Sequence, residues 1–143
     1  MNNLRRVNER AGRAPVQAEP ELIELLLFCR ERQREYPGRV NVAMGAALDL
    51  WHEYREAGEE IPPMDALTVA AAHCDMDDVI LDETAGTVYF ADPELKLDVG
   101  AVAKGWAAER AAKVLEESGL ASYLINAGGN VRAGGAPKDG RLY

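Results

Sequence analysis

Cysteine and histidine are scarce, with two of each among 143 residues. Cys29 and Cys74 lie far apart, and neither belongs to a CxxC or other metal-ligand spacing. Redox and zinc chemistry are therefore unsupported. Cys29 sits in an apolar run, where a free cysteine behaves as a small buried hydrophobe. His52 and His73 have no ligand-type neighbours at metal spacing and read as unrelated structural or surface residues. No stretch approaches the roughly 18 apolar residues of a membrane-crossing helix. The opening segment, MNNLRRVNERAG, has no apolar core of the signal-peptide kind. As it stands the sequence therefore reads as cytoplasmic. Positive charge is also short: 16 Lys and Arg stand against 24 Asp and Glu, a net charge of −8. That balance disfavours nucleic acid as the main partner, because neutralising phosphates needs clustered cations. Arg5, Arg6, Arg10 and Arg13 crowd the start of the chain, where a solvated surface is favoured over a basic arm.

What is present fits one soluble globular domain over residues 1–143, with 48% hydrophobic and 28% charged residues. Residues 1–18 read as a weakly ordered lead-in. A helix is expected over Glu19–Tyr36, with Pro20 in its first turn and Leu22, Leu25, Leu26 and Cys29 on one face. Pro37-Gly38 stops it. A second helix is expected over Met44–Ala57, presenting Ala47, Leu50, Trp51 and Tyr54, and a short third begins near Met64. The period then changes. VILDETAGTVYFAD reads as a hairpin turning at Gly86, and LKLDV as a further strand with Leu95, Leu97 and Val99 on one face. Ala103, Trp106, Ala107, Ala111, Val114 and Leu115 mark the strongest helix, and SYLIN a strand after it. No repeat or low-complexity segment interrupts this order. The fold class is α+β: N-terminal helices, then a β-hairpin, then a strand–helix–strand unit over residues 95–126 forming part of a mixed sheet.

Three stretches carry chemistry. LDVGAVAKGW (97–106) runs from a strand end through Gly100 into a helix bearing Lys104. Helix N-terminal amides and the positive dipole end favour a phosphate there. A lysine so near a helix start conflicts with that dipole, which points to a use outside the helix. Asp98 is placed to bond a ligand or help hold a cation. In the competing reading Gly100 and Gly105 only permit close packing, and Asp98 caps a turn. INAGGNVRAGG (125–135) offers Asn126, Asn130 and a Gly128-Gly129 pair that lets a ligand or another strand approach the backbone. On pattern alone a plain glycine-rich loop or bulge is favoured. NVAMGAALDLW (41–51) places Gly45 at a helix start, where a simple helix opening also suffices. None of the three is a nucleotide P-loop or a GxGxxG fingerprint.

In this order the stretches carry a resemblance. LDVGAVAKGWAAERAAKVLEESG is similar to the D-x-G-[GA]-x-A-K-G-[YFW] signature and following helix of the ApbE family, the FAD:protein FMN transferases. YLINAGGN resembles that family's N-x-G-G-[DN] strand and turn. NVAMGAALDLW resembles its F-D-x-[ST]-x-G-P-L-x-x-L-W segment, with Asn41, Ala43 and Ala46 standing where the pattern has Asp, Ser or Thr, and Pro. LRRVNERAG resembles its opening S-R-L-N. The resemblance implies a Mg²⁺-dependent enzyme that moves the FMN part of FAD onto a Ser or Thr hydroxyl of a target flavoprotein and releases AMP. It implies that Asp98 and Lys104 contact FAD, Lys104 near the pyrophosphate. It further implies that Ala43, Met44, Gly45, Asn126, Gly128 and Gly129 line the FAD site, and that the Ala101 carbonyl is a metal ligand. Family members are longer at both ends and often attached to the cell envelope. The chain thus resembles the middle of such an enzyme. Alone it is expected to transfer flavin poorly, and to self-associate through uncovered edges. The alternative is a degenerate, non-catalytic module that binds flavin nucleotide or a protein. A phosphate-binding α+β enzyme of another family is more remote.

Overall fold

Polar composition at the start of the chain conceals two apolar anchors. The structure, a computed structural model, describes residues 3–58 and 61–136. Within the stretch read as a weakly ordered lead-in, helix α1 spans Asn3–Arg10 and strand β1 Val16–Gln17. Val7 and Ala11 are fully buried. The Phe90 N–H donates to the Ala11 carbonyl at 2.9 Å, tying this segment to a strand nearly eighty residues on. A little buried apolar surface thus overrides weak local signals.

Helix α2, Pro20–Glu35, begins at its proline and buries Leu22, Ile23, Leu25, Leu26 and Cys29, the face its 3.6-residue spacing dictates. Helix α3 is Gly45–Ala57, and the Gly58 N–H donates to the carbonyls of Tyr54 and Arg55. The apolar face expected on α3 is only partly covered: Gly45 and Ala47 are buried, Leu50 and Tyr54 are half-buried, and Trp51 is exposed. The reason is that α3 packs through its first turn and then against α4, Met64–Ala71, a short helix that buries no residue completely. A 3₁₀ turn at Met76–Asp78, capped by the Asp75 side chain on the Asp77 N–H, leads into β2, Val79–Asp82. After a turn through Gly86 comes β3, Thr87–Phe90. The hairpin is as expected, and β1 adds to its other edge, giving an antiparallel sheet ordered β1-β3-β2. Val79, Val88 and Phe90 are buried, as is the apolar face of α2.

The segment 95–99 corrects the expectation of a strand in a mixed sheet. Leu95 and Leu97 are buried, so the alternation is real. Yet among the described residues its only ladder contact is a single parallel bridge, Met44 to Lys96, and both sheets are antiparallel. After this point the chain divides into two compact units, Met1–Asp98 and Val99–Tyr143.

The second unit opens with α5, Gly100–Glu117, followed by a hairpin of β4, Tyr123–Ala127, and β5, Asn130–Gly134. Strand β5 falls in a stretch read as a loop. Its signal was the Gly128-Gly129 pair, which supplies a two-residue turn with φ of 60° and 94°, the geometry of the favoured hairpin turns. The buried face of α5 is also rotated from expectation: Ala108 and Ala112 are buried, whereas Ala107, Ala111 and Val114 are exposed. Small residues win because the hairpin packs close to the helix. Tyr123 donates its hydroxyl to Glu116, and Arg132 pairs with Glu109 at 2.9 Å and with Glu116 at 3.4 Å. Gly134 leaves room for the Tyr123 ring, since a Cβ there would lie 2.3 Å from it. Outward, Arg110 covers Trp106 at 4.9 Å. The last residues of the turn-rich tail, 137–143, lie outside the described residues.

Candidate functional site

Two clusters hold the residues that the sequence singled out, one in each unit. In the first unit, segments 42–45 and 96–98 run side by side. The Asp98 N–H donates to the Val42 carbonyl at 2.8 Å, and the Gly45 N–H to the Lys96 carbonyl at 2.9 Å. Asp98 is thereby brought beside Ala43, Met44 and Gly45, although more than fifty residues separate them in sequence. The side chains differ in what they offer. Ala43 is fully buried, Met44 is 41% exposed and Asp98 is half-buried. Gly45 has a structural reason for its identity: a Cβ there would lie 2.7 Å from the Lys96 carbonyl oxygen.

Two asparagines that sequence reasoning did not assign to this cluster hold it in shape. Asn41 accepts from the Ala43 N–H at 2.8 Å and donates to the Cys74 carbonyl at 2.7 Å. Asn8, from α1, donates to the Leu97 carbonyl and accepts from the Leu97 N–H, each at 2.9 Å. The sole trace of Asn8 in the sequence was its place in LRRVNERAG; nothing local reveals a partner 89 residues away. Nearby, Lys96 pairs with Asp49 at 2.6 Å. A cavity of about 440 Å³ lies beside this pair, with Leu50, Val69, Ala70, His73 and Glu94 in its lining. His73 Nδ1 lies 2.7 Å from Asp92 Oδ2. Burial opposes charge on Asp92, but the Glu94 N–H and His73 outweigh it and hold the carboxyl below its ordinary value.

In the second unit, Lys104 stands beside the Gly128-Gly129 turn. Its Nζ is 3.9 Å from where a Cβ on Gly128 would sit, an ordinary contact distance that puts the ammonium against the turn. The Gly129 N–H donates to Asn126 Oδ1 at 2.9 Å, which locks the turn. Asn130 Oδ1 lies 3.5 Å from the Cβ position of Gly105. Lys104 is the fifth residue of α5, and Ala101 sits exposed in the first turn. The N–H groups of Val102 and Ala103 already donate to the Val99 carbonyl, which leaves less of the helix start for an anion than the sequence implied. Among the described residues, no three Asp, Glu, His or Cys side chains gather as a metal site.

An ammonium beside an approachable glycine turn, on an α+β scaffold, suits a phosphorylated ligand more than an apolar one. The class these features define is an α+β protein. More particularly, the sequence pattern of the ApbE family matches residues 1–143, and the chain belongs to that family. It is 35% identical over 138 residues to the FAD:protein FMN transferase of Treponema pallidum (strain Nichols), covering 91% of this chain and 37% of that protein. To a protein of the same name from Klebsiella pneumoniae (strain 342) it is 32% identical over 125 residues, covering 87% of this chain and 39% of the relative. The fold is that of the flavin transferase ApbE from Vibrio cholerae, with a TM-score of 0.84 at 22% identity over 99% of this chain and 45% of the other. The apo form of the Pseudomonas stutzeri flavinyl transferase ApbE gives 0.85 at 22% identity, over 98% and 44%. The chain thus spans about two fifths of the length of these curated relatives. No helix among the described residues is long and apolar enough to cross a membrane.

Proposed function

We propose that this chain contributes FAD recognition to an FAD:protein FMN transferase, an enzyme that attaches FMN to a Ser or Thr hydroxyl of a target flavoprotein. The observation that carries the reading is the position of Lys104 beside the Gly128-Gly129 turn, in a chain whose named relatives are FAD:protein FMN transferases. In the reaction, the hydroxyl oxygen bonds to the FMN-side phosphorus and loses its proton. The bond from that phosphorus to the bridging oxygen breaks, and AMP leaves with that oxygen. The pyrophosphate brings negative charge that must be offset at the bond being broken. Lys104 supplies one positive charge, and the glycine turn lets phosphate oxygens reach the backbone. Asn126 keeps that turn closed through the Gly129 N–H. In the first unit, Asp98, Met44 and Gly45 are the FAD contacts, and buried Ala43 supports them from behind.

Mg²⁺ belongs to the reading through the family resemblance, with the Ala101 carbonyl as a ligand. The described residues do not by themselves fit a magnesium site. One helix carbonyl falls far short of an octahedral oxygen shell, and no cluster of acidic or histidine side chains completes it. The steps above are accordingly assigned to the chain's own groups. Self-association is part of the same proposal: Leu124 and Val131 are exposed on one face of the β4–β5 hairpin. The test is incubation with FAD, Mg²⁺ and a Ser/Thr-bearing flavoprotein peptide, followed by mass spectrometry. With this chain alone only a small fraction of the peptide is expected to gain the mass of one FMN, and that fraction is expected to vanish with Lys104→Ala. An unchanged increment with Lys104→Ala would remove Lys104 from the reaction.

A further inference from the structure

Leu97 is buried, its backbone has no ladder partner among the described residues, and Asp98 follows it directly. An extended segment normally satisfies its N–H and C=O groups through a neighbouring strand. Here one side chain does that work. The Asn8 carboxamide bonds both the Leu97 N–H and the Leu97 carbonyl at 2.9 Å, as a paired strand residue would. On the next residue the Asp98 N–H is held by the Val42 carbonyl at 2.8 Å. Asn8 itself is half-buried on α1, one residue after the fully buried Val7. It is therefore anchored from the core and has little freedom to drift.

We infer that Asn8 is a positioning residue: its carboxamide fixes the backbone at Leu97 and so sets where the Asp98 carboxylate stands. The link to flavin binding rests on the function proposed above; the link to Asp98 does not. An amide is required because it both donates and accepts. Asp at position 8 would keep the acceptor for the Leu97 N–H but set a carboxylate against the Leu97 carbonyl. Alanine would leave both backbone groups unpaired in a partly buried place, where each missing bond is costly.

The experiment has two readouts on the 143-residue chain. The first uses no ligand. Isotope-labelled parent, Asn8→Ala and Asn8→Asp chains are compared by NMR for hydrogen exchange of the Asp98 amide and for the Asp98 backbone and Cβ chemical shifts. Both are expected to change in the two variants while amides in α5, Gly100–Glu117, keep their exchange rates. An Asp98 unaltered in either folded variant overturns the inference. If Asn8→Ala does not fold, the isosteric Asn8→Asp decides alone. The second readout is FAD affinity in a double-mutant cycle with Asp98→Ala. Asn8→Ala is expected to weaken FAD about tenfold in the parent, the size of one lost hydrogen bond, and less than about twofold once Asp98 is alanine. Losses that multiply independently would overturn positioning through Asp98. Absence of saturable FAD binding in the parent would instead defeat the flavin reading, and the NMR arm would still judge Asn8.

Discussion

Replacing Gly45 with alanine is expected to destabilise the first unit by about 2 kcal/mol, even though alanine is the better helix former. The added Cβ would sit 2.7 Å from the Lys96 carbonyl oxygen, 2.8 Å from its carbonyl carbon and 2.8 Å from its Cβ. Carbon atoms pack comfortably at roughly 3.5–4 Å, and two of these three obstacles are backbone that cannot rotate away. Overpacking of this kind costs about 1–3 kcal/mol. Separation would also lengthen the Gly45 N–H to Lys96 carbonyl bond, now 2.9 Å, for a further loss of about 1 kcal/mol. Against this stands a helix-propensity gain of at most about 1 kcal/mol. For a unit of this size the net loss corresponds to a melting point lower by about 10 °C. The assay is thermal unfolding by circular dichroism, with Gly105→Ala as the comparison. There the new Cβ would meet only Asn130 Oδ1 at 3.5 Å, an ordinary contact, so Gly105→Ala should be neutral or stabilising by about 0.5–1 kcal/mol. A Gly45→Ala chain melting with or above the parent would refute the packing of 42–45 against 96–98.

Further outcomes follow from groups held away from water or beside a charge. Burial pushes the Cys29 thiol up to about 11. At pH 8 its thiolate is then roughly a thousandth of the total, so Ellman's reagent should titrate Cys74 alone in the native chain and both thiols in denaturant. Asp92 is held below the ordinary carboxylate range against the opposing effect of burial, by the Glu94 N–H and His73. A depressed carboxyl stabilises above its unfolded value of about 4 and loses that contribution as pH falls below it. Asp92→Asn should therefore be less stable than the parent near pH 6 and lose less on acidification, as read by urea midpoints at each pH. The Tyr123 phenol is raised, first by its hydrogen bond to Glu116 and next by burial. Its contribution is present below the unfolded value of about 10 and lost as pH rises through the folded value, so Tyr123→Phe should flatten the decline in stability above about pH 10.

What the sequence made legible was local. The 3.6-residue spacing of Leu22, Leu25, Leu26 and Cys29 and the Pro37-Gly38 stop gave α2 nearly to the residue. Alternating apolar residues around Gly86 gave the β2–β3 hairpin. Where tertiary contacts decide, the pattern misled. Helix α1 forms around Val7 and Ala11, too few apolar residues to announce themselves. The α5 face is chosen by the close approach of its hairpin, which favours Ala108 and Ala112 over the larger Val114. Leu95, Leu97 and Val99 alternate like a strand, but Asn8 takes the place of a neighbour at Leu97. Sequence motifs likewise singled out Asp98, Lys104 and the Gly128-Gly129 pair as candidates, whereas the supporting roles of Asn8 and Asn41 depend on partners distant in sequence.

The most direct measurement of the central claim is a fluorescence titration of FAD into the chain, run beside Lys104→Ala. Losing one charge-assisted contact to a phosphate costs about 1.5–3 kcal/mol. The account predicts saturable quenching in the parent and an affinity at least about tenfold weaker in Lys104→Ala. A parent that does not saturate, or a Lys104→Ala chain that binds FAD as tightly as the parent, would contradict it.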